Sequence, residues 1–320
     1  MSNIPGGRGA VGNQSFSKVL PTYQFAWDST SLGLLKECPR KYYYTNVLGK
    51  ERSDSSVHLV FGSHYHRAHE IFHHARSAGA GHTEALHAAV RYCLEATWDR
   101  TLGRGWISDI PEKNRLTLVR SIVWYYEQFA EDPLETVILA SGKPAVELSF
   151  KAEVGEAPTG DPLLLCGHLD RVATIGGDTW ISDYKTSKGA LGSYYFQQFS
   201  PHNQFSLYTF ASEFVYSLPV KGIVVDAAQV GAGFSRFQRG FVTRTAEHHE
   251  EWFRDFKHYT TLAYQYAAEG YWPLNDKSCG SYGGCPFQPI CSKPPSVREQ
   301  WLGGYANRQW DPMVSRGQEF

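Results

Sequence analysis

Hydrophobic and polar positions change their period near Pro144, and this change divides the chain into a helical part and a strand-rich part. In the first part, apolar residues recur at intervals of three and four, which is the spacing of one buried helix face. The helices predicted there cover residues 29–38, 61–78, 83–102 and 112–131. Ser29, Thr30 and Ser31 are the candidate N-caps of the first helix, because their side-chain oxygens can accept a hydrogen bond from its first N–H groups.

After Pro144, apolar side chains alternate with polar ones, as they do in strands with one buried face. The predicted strands begin at Val146 and then cover residues 163–173, 179–184, 221–230 and 237–243, with helices at 203–217 and 246–268. Gly176 and Gly177 supply the turn between the second and third strands. The first three strands form a meander, and a helix then crosses over to the fourth. This order predicts an α/β fold: a central mixed sheet flanked by helices, with a helical N-terminal insertion and a cysteine-rich C-terminal tail.

Composition limits the classes of protein to consider. Of the 320 residues, 42% are hydrophobic and 20% are charged, which predicts a folded core rather than a disordered chain. The formal net charge of −1 excludes a strongly basic nucleic-acid binder, so any nucleic-acid contact must be local. Basic residues and tyrosines are interleaved over residues 36–52, a stretch that fits such a contact or a solvated helix face equally well.

The sequence also carries expectations about its compartment. It contains no run of about eighteen apolar residues, so no membrane span is expected, and its first residues lack the apolar centre of a signal peptide. We therefore expect a cytoplasmic protein whose first 20 residues form a flexible arm. In that compartment the six cysteines are expected to be metal ligands or thiols rather than disulfides.

Two acids and a lysine stand on consecutive predicted strands: Asp170 on the second, Asp183 and Lys185 on the third. Alternation places Asp183 and Lys185 on one face of the strand and Tyr184 on the other. A hairpin would bring Asp170 beside them, and a divalent cation would relieve the repulsion between the two carboxylates. A lysine beside such a pair can orient an attacking water or stabilise charge on a phosphate, as in metal-assisted phosphodiester hydrolysis. By itself, D…DxK is a weak pattern, and surface salt bridges are the simpler interpretation.

Three further elements accompany this pattern in order. They are G-x-x-x-H from Gly62 to His66 on a preceding helix, Glu147 at the start of the first core strand, and Q-x-x-x-Y from Gln204 to Tyr208 on the helix after D-x-K. The four elements together resemble the PD-(D/E)XK nuclease superfamily, in its RecB-like exonuclease branch. Four elements in the right order are more specific than any one of them. The resemblance covers residues 27 to 295, approximately, and implies the nuclease core of that superfamily.

The resemblance implies a metal site and a catalytic amine. His66, Asp170 and Asp183 would bind Mg²⁺ or Mn²⁺. The backbone carbonyl of Tyr184 would complete the ligand set, and Lys185 would orient or activate the water. The implied substrate is DNA, and neither protein partners nor the oligomeric state are indicated.

The remaining motif positions are carried over as part of the catalytic machinery. Gln204 and Tyr208 would position the substrate strand or the catalytic lysine. Glu147 would be a further catalytic carboxylate, and pairing with a surface lysine is the alternative for it. The implied activity is hydrolysis of DNA phosphodiester bonds by an exonuclease that acts on single strands or DNA ends. A non-catalytic DNA-binding module of the same fold is the alternative function.

Three cysteines are evenly spaced in the tail, in a segment rich in glycine and proline that suits a tight metal-binding loop. They are Cys279, Cys285 and Cys291. Zinc or an iron–sulfur cluster needs four soft ligands, so one more thiol is required. The candidates for it are Cys38, Cys93 and Cys166.

Cys93 lies in an apolar helix and Cys166 in an apolar strand, where both are typical small core residues. Cys38 starts the sequence CPRKY, which resembles the early cysteine of the RecB-like branch that includes AddB and the CRISPR-associated exonucleases. The resemblance therefore implies a structural 4Fe–4S cluster on Cys38 and the three tail cysteines. The spacing of the first tail pair is wider than in many members of that branch, which keeps zinc as an alternative.

One further motif favours a different enzyme. Residues 69–73 read H-E-x-x-H, which on a helix is the signature of zinc proteases. The segment is rich in histidine, and Arg76 stands where the extended protease motif has glycine. We therefore interpret His69 and His73 as a helix surface near the substrate groove or in solvent. The expected organisation is an arm over 1–20, a nuclease domain over 21–295 and an extension over 296–320. Within the domain, the helical insertion covers about 80–135, the core about 140–245 and the cluster-binding tail 271–295.

Overall fold

A computed structural model of the chain describes residues 14–52, 56–215, 219–315 and 318–319. The first part of the predicted arm, residues 1–13, lies outside these ranges. In the described part of the chain no helix has both the length and the apolar surface needed to cross a membrane.

The elements follow the order predicted from the sequence, with corrected ends. The α-helices are α1 (Ser29–Glu37), α2 (Pro39–Tyr42), α3 (Val57–Ser77), α4 (His82–Ala96), α5 (Arg115–Gln128), α6 (Ser193–Gln197), α7 (Asn203–Val215), α8 (Ala246–Glu269), α9 (Gln288–Cys291) and α10 (Arg298–Leu302). The strands are β1 (Ala26–Trp27), β2 (Lys50–Glu51), β3 (Trp98–Asp99), β4 (Arg104–Gly105), β5 (Glu135–Thr136), β6 (Val146–Glu156), β7 (Pro162–Ile175), β8 (Asp178–Ser187), β9 (Val220–Val230), β10 (Ser235–Thr243), β11 (Ala306–Asn307) and β12 (Gln318–Glu319).

The first helix is capped by an acid, and the predicted caps were wrong. The N-cap is Asp28, whose carboxylate accepts a hydrogen bond from the Ser31 N–H at 2.8 Å. The Ser31 hydroxyl accepts one in return from the Asp28 N–H at 3.1 Å. In this reciprocal capping box the serine lies inside the helix, so Ser29, Thr30 and Ser31 are its first three residues.

The helix predicted to reach residue 102 ends at Ala96. The Nε of Arg115 donates to the Thr97 hydroxyl at 3.1 Å, and a terminal nitrogen of the same guanidinium donates to the Leu94 carbonyl at 3.0 Å. The Leu94 carbonyl, near the end of α4, thus has a partner from outside the helix. The chain then turns back through the short antiparallel pair β3 and β4.

The described residues form two compact units. The first comprises residues 14–52, 150–167 and 245–315. Its core is rich in aromatic rings: Tyr42 stacks on Trp27 with 5.5 Å between ring centroids and packs against Trp272 at 5.3 Å. In the same unit α1 packs against α8, and β1 pairs in parallel with Leu164 and Leu165 of β7. The domain boundaries stated above stay a prediction.

The second unit comprises residues 56–149, 168–215, 219–244 and 318–319, and it contains β8, β9 and β10 whole together with the start of β6 and the end of β7. The strand order of the mixed sheet is β10-β9-β8-β7-β6-β12. The pairs β7–β8 and β9–β10 are antiparallel, whereas β8–β9 is parallel and is connected through α6 and α7. The meander followed by a helical crossover is therefore confirmed.

Helices cover both faces of this sheet, as neighbouring residues of β8 show. The Tyr184 side chain packs against His69 and His73 of α3. The next side chain, Lys185, contacts Gln204 of α7. Successive residues of a strand point to opposite faces, so α3 and α7 lie on opposite sides of the sheet. The predicted α/β architecture, a central mixed sheet flanked by helices, is confirmed.

Candidate active site

The two acids of D…DxK lie on neighbouring strands in the second unit. Arg171 of β7 pairs with Ser182 of β8, so Asp170 and Asp183 are the next residues along this antiparallel ladder. Asp170 Oδ2 accepts a hydrogen bond from the Tyr184 N–H at 2.9 Å. This bond brings the first carboxylate to the backbone beside the second, as the hairpin argument predicted.

The two carboxylates have different proton affinities. Burial raises the pKa of Asp183, which is 1% exposed, and the nearby charge of Asp170 raises it further, although Lys185 acts in the opposite direction. Burial also acts to raise the pKa of Asp170, but His66, Lys185 and the Tyr184 N–H outweigh it and leave that pKa below its usual value. The protein therefore holds one readily ionised acid beside one that retains its proton more strongly.

The imidazole of His66 reaches this pair from α3. Its Nδ1 lies 3.0 Å from Asp170 Oδ2. Burial acts to lower the pKa of His66, but the Asp170 carboxylate outweighs burial and raises it. The histidine of G-x-x-x-H and the first acid of D…DxK are thus in direct contact, although they lie 104 positions apart in the sequence.

The lysine of D-x-K connects the acids with Q-x-x-x-Y. Lys185 Nζ lies 2.5 Å from Asp183 Oδ2 and donates a hydrogen bond to Gln204 Oε1 at 3.0 Å. Gln204 Nε2 donates in turn to the Tyr208 hydroxyl at 3.0 Å, one helical turn along α7. These contacts hold the Lys185 amine beside the Asp183 carboxylate, and the Gln204 amide fixes the orientation of that amine.

Glu147 differs from the other predicted catalytic residues in its backbone conformation and in its charged neighbour. It begins β6 in a left-handed backbone conformation with φ of 50°, which is uncommon for a residue with a side chain. Its charge acts on Arg67 of α3, whose pKa it helps to raise after the larger effect of Glu70. Arg67 is therefore one charged neighbour of Glu147. The catalytic role of Glu147 stays a prediction.

The carboxylate oxygens and the imidazole nitrogen of this site are suitable ligands for a hard divalent cation, but each of these side chains contacts another side chain of the site instead. Within residues 14–52, 56–215, 219–315 and 318–319, no three His, Cys, Asp or Glu side chains converge closely enough to hold a metal ion. His66 is directed at Asp170, and Lys185 at Asp183. Asp183 Oδ2 is buried without a well-directed hydrogen bond, and carboxylate oxygens are the donors that Mg²⁺ and Mn²⁺ prefer. The chemistry of this donor set, two carboxylates and an imidazole, therefore fits such an ion.

The H-E-x-x-H residues do not form a protease site, and their interpretation as solvated was wrong. His69 is 0% and His73 6% exposed. Their ring nitrogens lie 2.8 and 2.7 Å from the hydroxyls of Tyr126 and Tyr184. Glu70 pairs with the arginine three residues before it. The groups that would bind zinc and activate water are thus occupied by the protein itself. The sequence offered one signal for this packing, the histidines at positions i, i+3 and i+7 from His66.

The four cysteines predicted as ligands lie together in the first unit. Burial and the neighbouring thiols of Cys285 and Cys38 raise the pKa of Cys279. Burial raises the pKa of Cys291, with Arg40 acting against it and the same two thiols adding to it. The Asn275 N–H donates to Cys38 Sγ at 3.4 Å. Electrostatic coupling of this kind requires the thiols to be near neighbours, although they do not converge as a formed metal centre.

The other two cysteines are core residues, as predicted. Cys93 and Cys166 are each 0% exposed, and burial raises the pKa of both thiols to about 12. The basic stretch over 36–52 is largely paired within its own unit: Lys41 binds Glu37 at 2.9 Å and Lys36 binds Asp255 at 3.5 Å. These pairs favour the solvated-face interpretation of that stretch.

Comparisons with known proteins agree with this geometry. A family model described as the PD-(D/E)XK nuclease superfamily matches residues 27–292. A search of curated proteins gave no match. Among solved structures, one from Eubacterium rectale, itself assigned as an exonuclease by inference, shares 11% identity with a TM-score of 0.50 and covers 86% of this chain and 92% of that one.

A second solved structure, SSO0001, shares 12% identity over 84% of this chain and 87% of that one, but its TM-score of 0.35 is too low to carry an argument. The Eubacterium rectale structure shows likeness of fold alone. Membership rests on the family model, which spans most of the sequence. The chain belongs to the PD-(D/E)XK nuclease superfamily.

Proposed function

We propose that this nuclease is a divalent-metal-dependent deoxyribonuclease of the RecB-like branch, acting as an exonuclease on single strands or DNA ends. The observation that supports it best is two sets of contacts joined through the Tyr184 backbone. His66 contacts Asp170 at 3.0 Å, and Asp183 contacts Lys185 at 2.5 Å, which in turn donates to Gln204 at 3.0 Å. The Tyr184 N–H, directly after Asp183, donates to Asp170 at 2.9 Å. The buried Asp183 and the half-buried Asp170 thus lie beside an amine, an arrangement that suits a bound cation and a phosphate.

The proposed roles follow from the chemistry of each group. Asp170, Asp183 and His66 would hold Mg²⁺ or Mn²⁺, with the Tyr184 carbonyl as a further ligand. The bound ion would stabilise negative charge on the phosphate. The amine of Lys185 donates hydrogen bonds, so it can orient a water toward phosphorus or bind a phosphate oxygen.

Orientation of the amine is the role proposed for the α7 pair. Gln204 accepts from Lys185 and donates to Tyr208, so the amide cannot flip without losing both bonds. A flexible lysine stem loses rotational freedom before the substrate arrives, which lowers the entropic cost of reaching the transition state. Glu147 is proposed only as an electrostatic neighbour of Arg67 at the start of β6.

A cleavage assay with matched variants tests the proposal. The assay incubates end-labelled single-stranded DNA and Mn²⁺ with the wild-type protein, with Asp183→Ala and with Lys185→Ala. The control is Lys188→Ala, because Lys188 is an exposed lysine three residues after Lys185, just beyond the end of β8. We expect cleavage by the wild type and Lys188→Ala and a loss of at least about 100-fold in the other two. DNA binding without any cleavage by the wild type would instead identify a non-catalytic binding module.

Substrate form separates the finer alternatives. Linear and circular single strands, linear duplex and RNA of matched sequence are compared under the same conditions. An exonuclease degrades the linear DNA forms and leaves the circle intact. Cleavage of the circle would contradict the exonuclease assignment, and cleavage of RNA alone would contradict the DNA assignment.

We also propose that the four thiols of the first unit hold a structural 4Fe–4S cluster. Supporting it are the electrostatic effects of Cys38 and Cys285 on both Cys279 and Cys291, and the backbone N–H directed at Cys38. Four soft thiolates suit iron or zinc, and both Arg40 and Arg298 act on Cys291 in the direction that favours its thiolate. Ligation would fix the end of α1 to the C-terminal tail.

Metal content decides this second proposal. Protein purified without oxygen is assayed for iron, acid-labile sulfide and zinc, beside Cys38→Ser and the core variant Cys93→Ala. We expect about four iron atoms per chain in the wild type and in Cys93→Ala, and their loss in Cys38→Ser. One zinc per chain with no iron would overturn the cluster in favour of a zinc site.

A further inference from the structure

The side chain of Tyr184, in the middle of D-x-K, is fixed by two histidines of α3. The His69 ring stacks on the Tyr184 ring with 3.9 Å between centroids and 6° between planes. The Tyr184 hydroxyl donates to His73 Nε2, 2.7 Å away. The tyrosine is 2% exposed, so these contacts are shielded from water.

The acceptor role of His73 follows from its other neighbour. A terminal nitrogen of Arg171 lies 3.4 Å from the same His73 Nε2. A guanidinium can only donate, so Nε2 carries no proton, and the imidazole is neutral. Burial, followed by the charge of Arg171, lowers the pKa of His73 in agreement with this state.

One face of α3 thus makes three successive contacts with the region of the acid pair. His66 meets Asp170, His69 covers the Tyr184 ring, and His73 binds the Tyr184 hydroxyl. Positions i, i+3 and i+7 of a helix lie on one side, so a single rotation and translation of α3 satisfies all three. A shift of the helix along the strand would break all of them together.

The backbone of Tyr184 connects this packing to the acids. Its N–H donates to Asp170 Oδ2, and it follows Asp183 directly in the chain. We propose that His69 and His73 are positioning residues of the nuclease site, which fix Tyr184 so that His66, Asp170 and Asp183 meet around one cation. The inference rests on the proposed function and assigns the H-E-x-x-H histidines a role that neither D…DxK nor the protease motif supplies.

Removing a residue that holds a metal ligand in position usually lowers metal affinity or activity about 10- to 100-fold. Tyr184→Phe removes only the hydroxyl and retains the ring and backbone. His73→Leu removes the acceptor, and His73→Gln retains one through its amide oxygen. Because one hydrogen bond joins the two side chains, the double variant Tyr184→Phe/His73→Leu should be little worse than the poorer single variant.

The test measures Mn²⁺ binding by calorimetry without DNA, then kcat and KM for single-stranded DNA, then the thermal midpoint. We expect Tyr184→Phe and His73→Leu to weaken Mn²⁺ binding about tenfold and to lower kcat, with KM for DNA nearly unchanged. His73→Gln should recover part of the loss. His64→Leu, on another side of the same helix, where His64 contacts the Tyr92 hydroxyl at 3.0 Å, is the matched control and should bind Mn²⁺ normally.

The outcomes separate this inference from the function on which it rests. If Asp183→Ala still cuts DNA, the proposed site is wrong. If Asp183→Ala is inactive but Tyr184→Phe and His73→Leu bind Mn²⁺ like the wild type, the site stands and the positioning role is overturned. A lower thermal midpoint with unchanged Mn²⁺ affinity also overturns it, because that is the result of a purely structural role.

Discussion

Asp170 Oδ2 accepts a hydrogen bond from the Tyr184 N–H at 2.9 Å, which joins one acid of the pair to the peptide that follows the other. The bond is possible only at the present register of β7 and β8, where Arg171 pairs with Ser182. A slip of one residue would turn one of the two carboxylates to the opposite face. The register of the hairpin therefore determines whether a shared metal site can exist.

Replacing Gln204 should affect the chemical step more than DNA binding. Gln204→Leu removes the acceptor for Lys185 Nζ and the donor to Tyr208, leaving the amine without its direction. We expect kcat to fall about tenfold with little change in KM, measured on labelled single-stranded DNA. Gln198→Leu, at an exposed position just before α7, serves as the control. Equal activity of the two variants would show that the amide does not orient the amine.

The two acids should have opposite effects on stability when metal is removed. The pKa of Asp183 is raised above its ordinary value of 3.8, so Asp183 stabilises the fold below that pH and loses the contribution as pH rises through the raised value. The pKa of Asp170 is lowered, so its ionised form stabilises the fold at neutral pH, and that stability is lost as pH falls through the lowered value.

At neutral pH in EDTA, Asp183→Asn should therefore raise the thermal midpoint by about 2 °C or more, whereas Asp170→Asn should lower it. Differential scanning calorimetry at neutral pH and near pH 4 measures both, and the gain of Asp183→Asn should shrink in acid. Asp178→Asn tests the background effect, because Asp178 pairs with Lys221 in an exposed ion pair at the start of the same strand. Shifts of the same sign for Asp170→Asn and Asp183→Asn would contradict the assigned proton affinities.

A buried ion network supports the sheet beneath the site. Arg239 donates to Asp226 at 2.8 Å and binds Asp132 at 2.6 Å, and the Tyr125 hydroxyl donates to Asp226 at 2.6 Å. Arg239→Met leaves Asp226, which is 1% exposed, without its cation, so the free energy of unfolding in urea should fall by about 3 kcal/mol. Arg254→Met breaks an exposed helix pair with Glu250 and should cost less than about 0.5 kcal/mol. Similar losses would show that the network contributes no more than a surface pair.

The sequence predicted the parts of the fold that depend on local pattern. Strand alternation placed Asp183 and Lys185 on one face and Tyr184 on the other, and the side-chain contacts confirm it. The end of α4 was placed too late, and at its true end Arg115 from the next helix binds the Leu94 carbonyl and the Thr97 hydroxyl. The helix period continues past this point, so the sequence pattern alone could not show where α4 ends.

The spacing of His66, His69 and His73 showed that they share one side of a helix, but not what that side contacts. His64, His66, His69 and His73 belong to one helix, and periodicity cannot decide which of them face a sheet. The packing of Tyr184 decides it, since the tyrosine ring covers His69 and its hydroxyl reaches His73. The H-E-x-x-H pattern of zinc proteases is therefore formed here by two histidines whose ring nitrogens contact tyrosine hydroxyls.

The proposed function requires Asp170, Asp183, His66 and Lys185 to form one metal-dependent site for DNA cleavage. The most direct test titrates Mn²⁺ into EDTA-treated protein and follows cleavage of end-labelled single-stranded DNA by the wild type and by Asp170→Asn. We expect no cleavage before Mn²⁺ is added, a saturable rise for the wild type, and a loss of at least about 100-fold for Asp170→Asn at every concentration. Cleavage by the stripped wild type, or equal rates for the two proteins, would contradict the proposed function.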